Sequence, residues 1–89
     1  MDFLRQLFLS EVRAALFRLF LGPSSGRMYR AEIIARFNFA GRSVEEELEK
    51  LVRLELLHTT KDGNRRYYEV NRGHPLYAEL RGIVLKTSG

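Results

Sequence analysis

Two short amphipathic segments, separated by a glycine-containing turn, constrain this chain most. Ile33, Ile34 and Phe37 sit at helical spacing within residues 31–37, and Val44, Leu48, Leu51, Val52 and Leu54 repeat that spacing over 43–54. Between them lies the turn Asn38-Phe39-Ala40-Gly41. Ser43 with Glu46 matches the S-x-x-E capping box, so the second helix is expected to open at Ser43. That helix carries Glu45, Glu46, Glu47 and Glu49, an unusual load of negative charge for a basic chain.

The flanking segments extend the pattern. Phe3, Leu4, Leu7, Phe8, Val12, Ala15, Leu16, Leu19 and Phe20 predict helix from about Asp2 to Leu21, with a break near Ser10, a cap residue followed by Glu11. Gly22-Pro23-Ser24-Ser25-Gly26 ends it, and Arg27-Met28-Tyr29 reads as a short extended piece. Beyond residue 54 the sequence turns β-branched and aromatic, in the runs 57–61 and 65–70. Asp62-Gly63-Asn64 between them predicts a three-residue hairpin loop. Tyr67 and Tyr68 face opposite sides of their strand, with Tyr68 and Val70 assigned to the core. Pro75 suits the first turn of a last helix with the stripe Leu76, Leu80, Ile83 and Val84. The order is helix, helix, helix, hairpin, helix: a mainly α fold with a small β-hairpin, of the α+β class, in a single domain over 1–89. Its central helix pair has the helix-turn-helix pattern.

Composition narrows the chemistry. With no cysteine there are no disulfides, thiolate metal sites or cysteine nucleophiles. His58 and His74 are too few to hold a metal without carboxylate help, and each reads as structural. No signature of catalysis or phosphate binding stands in the context it needs, so neither an enzyme nor a cofactor is expected. No apolar run has the length of a membrane span, and the charged start does not resemble a signal peptide, which favours the cytoplasm. The net charge of +4 favours an acidic partner, nucleic acid first. It is unevenly spread: residues 1–40 carry +3, residues 41–60 carry −2 and residues 61–89 carry +3.

In order and spacing the segments 7–13, 28–34, 43–57, 63–68 and 74–77 resemble the winged helix-turn-helix regulators of the ArsR-like type. They also resemble the winged-helix domains associated with nucleotidyltransferases. The resemblance covers nearly the whole chain. It implies a transcriptional regulator that binds double-stranded DNA as a homodimer, its third helix in the major groove and its hairpin, the wing, on phosphate or minor groove. Members commonly carry serine, arginine or glutamine where this chain has Glu45 and Glu46. The cysteine motifs of metal sensors are absent, so that role does not carry over.

By position, Arg42, Ser43, Glu45, Glu46 and Glu49 would form the groove-facing surface. A carboxylate can accept a hydrogen bond from cytosine N4, yet several carboxylates near phosphates repel DNA. The alternative is a solvated face, with Glu46–Lys50 and Glu49–Arg53 as i,i+4 pairs. Lys61, Asn64, Arg65 and Arg66 would form the wing contact, or else an ordinary hairpin protected by its charges. Tyr29 and Arg30 stand where the second helix would meet the backbone, although Tyr29 can equally be packing. Apolar residues on the first and last helices suggest a twofold dimer through both. Two alternatives stand beside the regulator: a protein-interaction module whose acidic third helix holds a basic partner, and a regulatory N-terminal domain of a longer nucleotidyltransferase-type protein.

Overall fold

A computed structural model describes residues 10–23 and 26–87. The expected helical residues 2–9 therefore lie outside the described part. Helix α1 (Glu11–Leu21) starts where Ser10 predicts. Ser10 is extended, and its hydroxyl accepts the Arg13 N–H at 3.1 Å, satisfying one of the donors a helix start leaves free. The helix stops at Gly22, where a side chain would run into the Arg18 carbonyl oxygen.

Strand β1 (Met28–Tyr29) leads into α2 (Arg30–Ala35), and a turn over 36–40 leads into α3 (Gly41–Arg53). The capping box expected at Ser43 does not form. The N-cap lies three residues earlier, at Ala40, with no side-chain cap. Ser43 is then already inside the first turn, and Glu46 engages Arg42 instead. The extended backbone of Ala40 sets the start, and its carbonyl accepts the Val44 N–H. Leu54, placed on the apolar stripe by spacing, lies just past the helix and is exposed.

The end of α3 carries a feature the sequence did not announce. Glu55 has φ 62°, the only non-glycine residue with positive φ among those described. The Leu56 N–H donates to the Leu51 carbonyl and the Glu55 N–H to the Val52 carbonyl, which is the Schellman pattern. Glycine normally takes the left-handed position, because a Cβ there costs about 1–2 kcal/mol. The connector after β3 (Arg65–Val70) holds this end in place. The Asn71 side-chain amide donates to the Glu55 carbonyl at 2.8 Å, and Nε2 of His74 donates to the Leu54 carbonyl at 3.1 Å. Nδ1 of His74 accepts the Leu76 N–H, so the ring is a structural fastener in one neutral tautomer. Glu55→Gly is expected to raise stability by about 0.5–1 kcal/mol, since relieving the left-handed strain outweighs glycine's added freedom in the unfolded chain. Urea unfolding checks it; a loss of stability would mean that Glu55 makes a compensating contact.

Strand β2 (Leu57–Asp62) pairs antiparallel with β3, and β3 also pairs with β1, giving the order β1-β3-β2. The expected three-residue loop is a two-residue one. Asp62 pairs with Arg65, leaving only Gly63 and Asn64 to turn. Gly63 takes φ +63° and Asn64 does not have positive φ, the pattern of a II′ turn, whose twist matches that of the flanking strands. The last helix, α4, spans Tyr77–Thr87, so Pro75 precedes it, and Leu76 stays exposed rather than joining the stripe.

The helices pack on one face of the sheet. Leu16 and Phe20 of α1, Ile33 of α2, Val44, Leu48 and Leu51 of α3, and Val84 of α4 are fully buried. Met28, Leu57 and Tyr68 close the core from the sheet. Tyr68 is inside and Tyr67 outside, as their alternation requires. The described residues form the four-helix, three-strand arrangement of a winged helix-turn-helix, with α2 and α3 as its helix pair and β2–β3 as its wing. None of the described helices is long and apolar enough to cross a membrane.

Candidate nucleic-acid interface

Helix α3 turns Val44, Leu48 and Leu51 inward and leaves Arg42, Ser43, Glu45, Glu46, Lys50 and Arg53 exposed, with Glu49 half-buried. Its glutamates are not a free acidic stripe. Glu45 meets Arg30, at the start of α2, at 2.9 Å. Glu46 meets Arg42 at 3.1 Å. Glu49 meets Arg66 of the wing at 3.1 Å and also accepts the Tyr68 hydroxyl at 3.3 Å. Burial raises the Tyr68 pKa above the usual phenol value, so this hydroxyl stays a donor. The structure thus brings Arg30, Arg42, Glu45, Glu46, Glu49 and Arg66 onto one continuous surface.

The pairs Glu46–Lys50 and Glu49–Arg53, expected from spacing, are replaced by these. A helical side chain leans towards the helix N-terminus, which carries Glu46 back to Arg42. Glu49 faces the wing and finds Arg66 there. Lys50 and Arg53 have no carboxylate partner among the described residues.

The two wing arginines point to opposite faces of β3. Arg66 lies over the Tyr68 ring on the α3 side. Arg65 lies on the outer side, its guanidinium 4.2 Å from the centroid of Tyr29. The Tyr29 and Tyr67 rings meet edge to face at 5.8 Å, and Arg27 sits 4.1 Å over Tyr67 while pairing with Asp62 at 3.0 Å. A hydrogen bond with the Tyr67 side chain, aided by nearby Tyr29, raises the Arg65 pKa further above its ordinary value. Tyr29 therefore packs beneath Arg65. Its backbone N–H is accepted by the Glu32 side chain at 3.1 Å, which fixes the entry to α2. Lys61, which pairs with Arg66 and shares its face, and Asn64 are exposed near the tip of the wing.

Glu47 is the charged residue that spacing reasoning passed over. It lies on the inward face three residues after Val44 and is nearly as buried as the core, where it meets Arg13 of α1 at 2.8 Å. Its position on the apolar stripe was the available signal: a carboxylate there requires a cation from a packed neighbour. Arg27 was also passed over, because an arginine before a short strand carries no motif.

No protein-family model and no curated protein matches this chain. Solved structures do match. One is the crystal structure of a possible transcriptional regulator for arsenical resistance: TM-score 0.63, 20% identity, covering 99% of this chain and 84% of that one. Another is the AntR antimony-specific transcriptional repressor: TM-score 0.64, 20% identity, covering 93% of this chain and 71% of that one. At this identity the likeness shows a shared winged-helix fold.

Proposed function

We infer that the chain is a DNA-binding transcriptional regulator that docks α3 in the major groove and sets its wing on the adjacent backbone. The observation that carries this is the continuous surface in which α3 is flanked by Arg30 from α2 and Arg66 from the wing. Arg65 extends it to the outer side of the wing, Lys61, opposite Arg66, and Asn64 to its tip, and Arg42 and Ser43 to the first turn of α3. Two matching structures are of proteins described as transcriptional regulators, which supports the same reading. The reading involves no catalysis and no cofactor, and it suits a cytoplasmic protein.

The ion pairs also weigh against an acidic docking helix. Glu45, Glu46 and Glu49 each have an arginine partner, so a basic protein would find little uncompensated negative charge there. Phosphate anchoring then falls chiefly on cations not held by carboxylates, among them Arg65 and Lys61. A homodimer through the N- and C-terminal helices completes the reading. Leu76 and Leu85, just before and within α4, are 54% and 44% exposed, and their burial would favour a second copy. A twofold axis there would set two α3 helices about one DNA turn apart.

A fluorescence-anisotropy titration on a mixed-sequence duplex tests this. Binding is expected to weaken with salt, log K falling by about 0.9 per phosphate contact for each decade. At saturation the stoichiometry is expected to be two chains per duplex. Absence of binding at both low and moderate salt would end the DNA reading, and one chain per duplex would remove the dimer.

A further inference from the structure

We propose that the exposed face of α3 selects G·C base pairs, with Arg42 reading guanine and Glu46 reading cytosine. This rests on the DNA-binding reading above and names the class of duplex it takes. The two residues form an i,i+4 ion pair on the N-terminal half of α3, the half that meets base edges when such a helix enters the groove. Their side chains are 90% and 62% exposed, so neither is engaged in packing. Only Nε of Arg42 and Oε1 of Glu46 are used between them. The terminal Nη groups of Arg42 and Oε2 of Glu46 make no further hydrogen bond among the described residues. By contrast, Glu45 is tied to another helix, and Glu49 to both Arg66 and Tyr68.

The donor and acceptor pattern of the bases then decides. Guanine shows two acceptors, O6 and N7, which fit the paired donors of a guanidinium. Adenine offers N7 but sets its N6 donor beside it, and thymine offers only O4 and a methyl group. A carboxylate can accept only. Cytosine N4 gives it a donor, whereas adenine's N6 comes with an N7 acceptor that repels it. The exposed positions of α3 hold no asparagine or glutamine, the side chains that pair with both edges of adenine, and no apolar group for the thymine methyl. The ion pair does a second job. Glu46 holds the Arg42 fork in one orientation before DNA arrives, which lowers the entropy cost of contact. Their Nε and Oε1 atoms are 3.1 Å apart, so the two heads reach base positions within two steps of each other at roughly 3.4 Å per step.

Selection from a pool of duplexes randomised over about two helical turns tests this with the full chain. The retained pool is expected to carry a G and a C within two steps of one another in each half-site. Glu46→Gln removes a charge and so strengthens binding to every duplex, which makes base preference the readout. Glutamine pairs with adenine, so the preference at the cytosine position should move towards adenine by about tenfold, the scale of one good base contact. Arg42→Gln should move the guanine position likewise. Retention of A·T at these positions by the wild type would overturn the proposal and leave DNA binding standing, and so would retention without base preference. Unchanged preferences in both variants would also overturn it. No retention of any duplex would take down this proposal and the DNA-binding reading together.

Discussion

Phe20→Ala is expected to cost about 3–5 kcal/mol, a large part of the roughly 5–15 kcal/mol that holds a domain folded. Phe20 is 1% exposed and belongs to the innermost residues of the core. Around it lie Leu16, Phe17 and Leu21 of α1, Leu51 of α3, Leu57 and Val70 of the sheet, and Tyr77 of α4. These residues line a narrow, partly open apolar cleft of about 10 Å³, room for no more than a single water. Removing the ring forfeits its transfer free energy and leaves a cavity that cannot close easily. Its walls come from three helices and two strands, each held by other contacts. The melting temperature should fall by roughly 15–30 °C, since each kcal/mol moves a domain of this size by about 4–8 °C. Phe20→Leu keeps most of the volume and should cost much less. Thermal and urea unfolding of both variants check the pair. Equal and small losses would mean that the three-helix junction is more compliant than its packing indicates.

The same junction shows what spacing can reveal. Phe20, Val44, Leu48, Tyr68 and Val84 were legible as core because helical and strand periodicities are local, and burial follows the period. The hairpin was legible from Gly63, but its length was not. Whether Asp62 pairs or turns depends on the twist of both strands, and Asp62 is compatible with either. Ser43 and Glu46 carry a capping signal, yet the extended Ala40 caps α3 three residues earlier, and the signal falls inside the helix. Glu55 hides the end of α3 for a related reason: the left-handed residue is usually glycine, and here the connector carrying Asn71 and His74 holds a glutamate in its place.

The candidate interface was legible by position and not by pairing. Arg30, Arg42, Glu45, Glu46, Glu49 and Arg66 were all singled out from their place in the helix-turn-helix and wing. Arg42 and Glu46 pair locally within α3, but the other two pairs cross from α2 and β3 to α3, over separations of 15 and 17 residues, and no local rule specifies them. What looked like an acidic helix set against a basic domain is a surface whose exposed glutamates are each met by an arginine. Arg65 and Arg66 illustrate the same limit. They are adjacent in sequence and alternate in direction, so one stacks on Tyr29 outside while the other serves Glu49.

Arg13→Ala should destabilise the fold by about 2–3 kcal/mol, much more than loss of a surface ion pair, whose median worth is about 0–1 kcal/mol. Burial makes the difference. Glu47 has a side chain only 8% exposed, while Arg13 is 29% exposed. Removing the cation leaves a carboxylate among Val44, Leu48 and the core with its compensating charge gone. Such a loss is worth about 3–5 kcal/mol for a fully buried pair, and the partial exposure of Arg13 lets water return some of it. The reverse experiment separates the pair's worth from the penalty of breaking it. Replacing both residues, as Arg13→Met with Glu47→Leu, removes the desolvation cost together with the attraction. The double variant should come within about 1 kcal/mol of the wild type or exceed it, although Arg13→Ala alone is damaging. Urea unfolding of the wild type, Arg13→Ala, Glu47→Leu and the double variant supplies the comparison. If the double variant falls as far as Arg13→Ala, the bridge itself stabilises the α1–α3 contact. If it recovers, the pair chiefly fixes which face of α3 turns inward, and therefore which face is left to meet DNA.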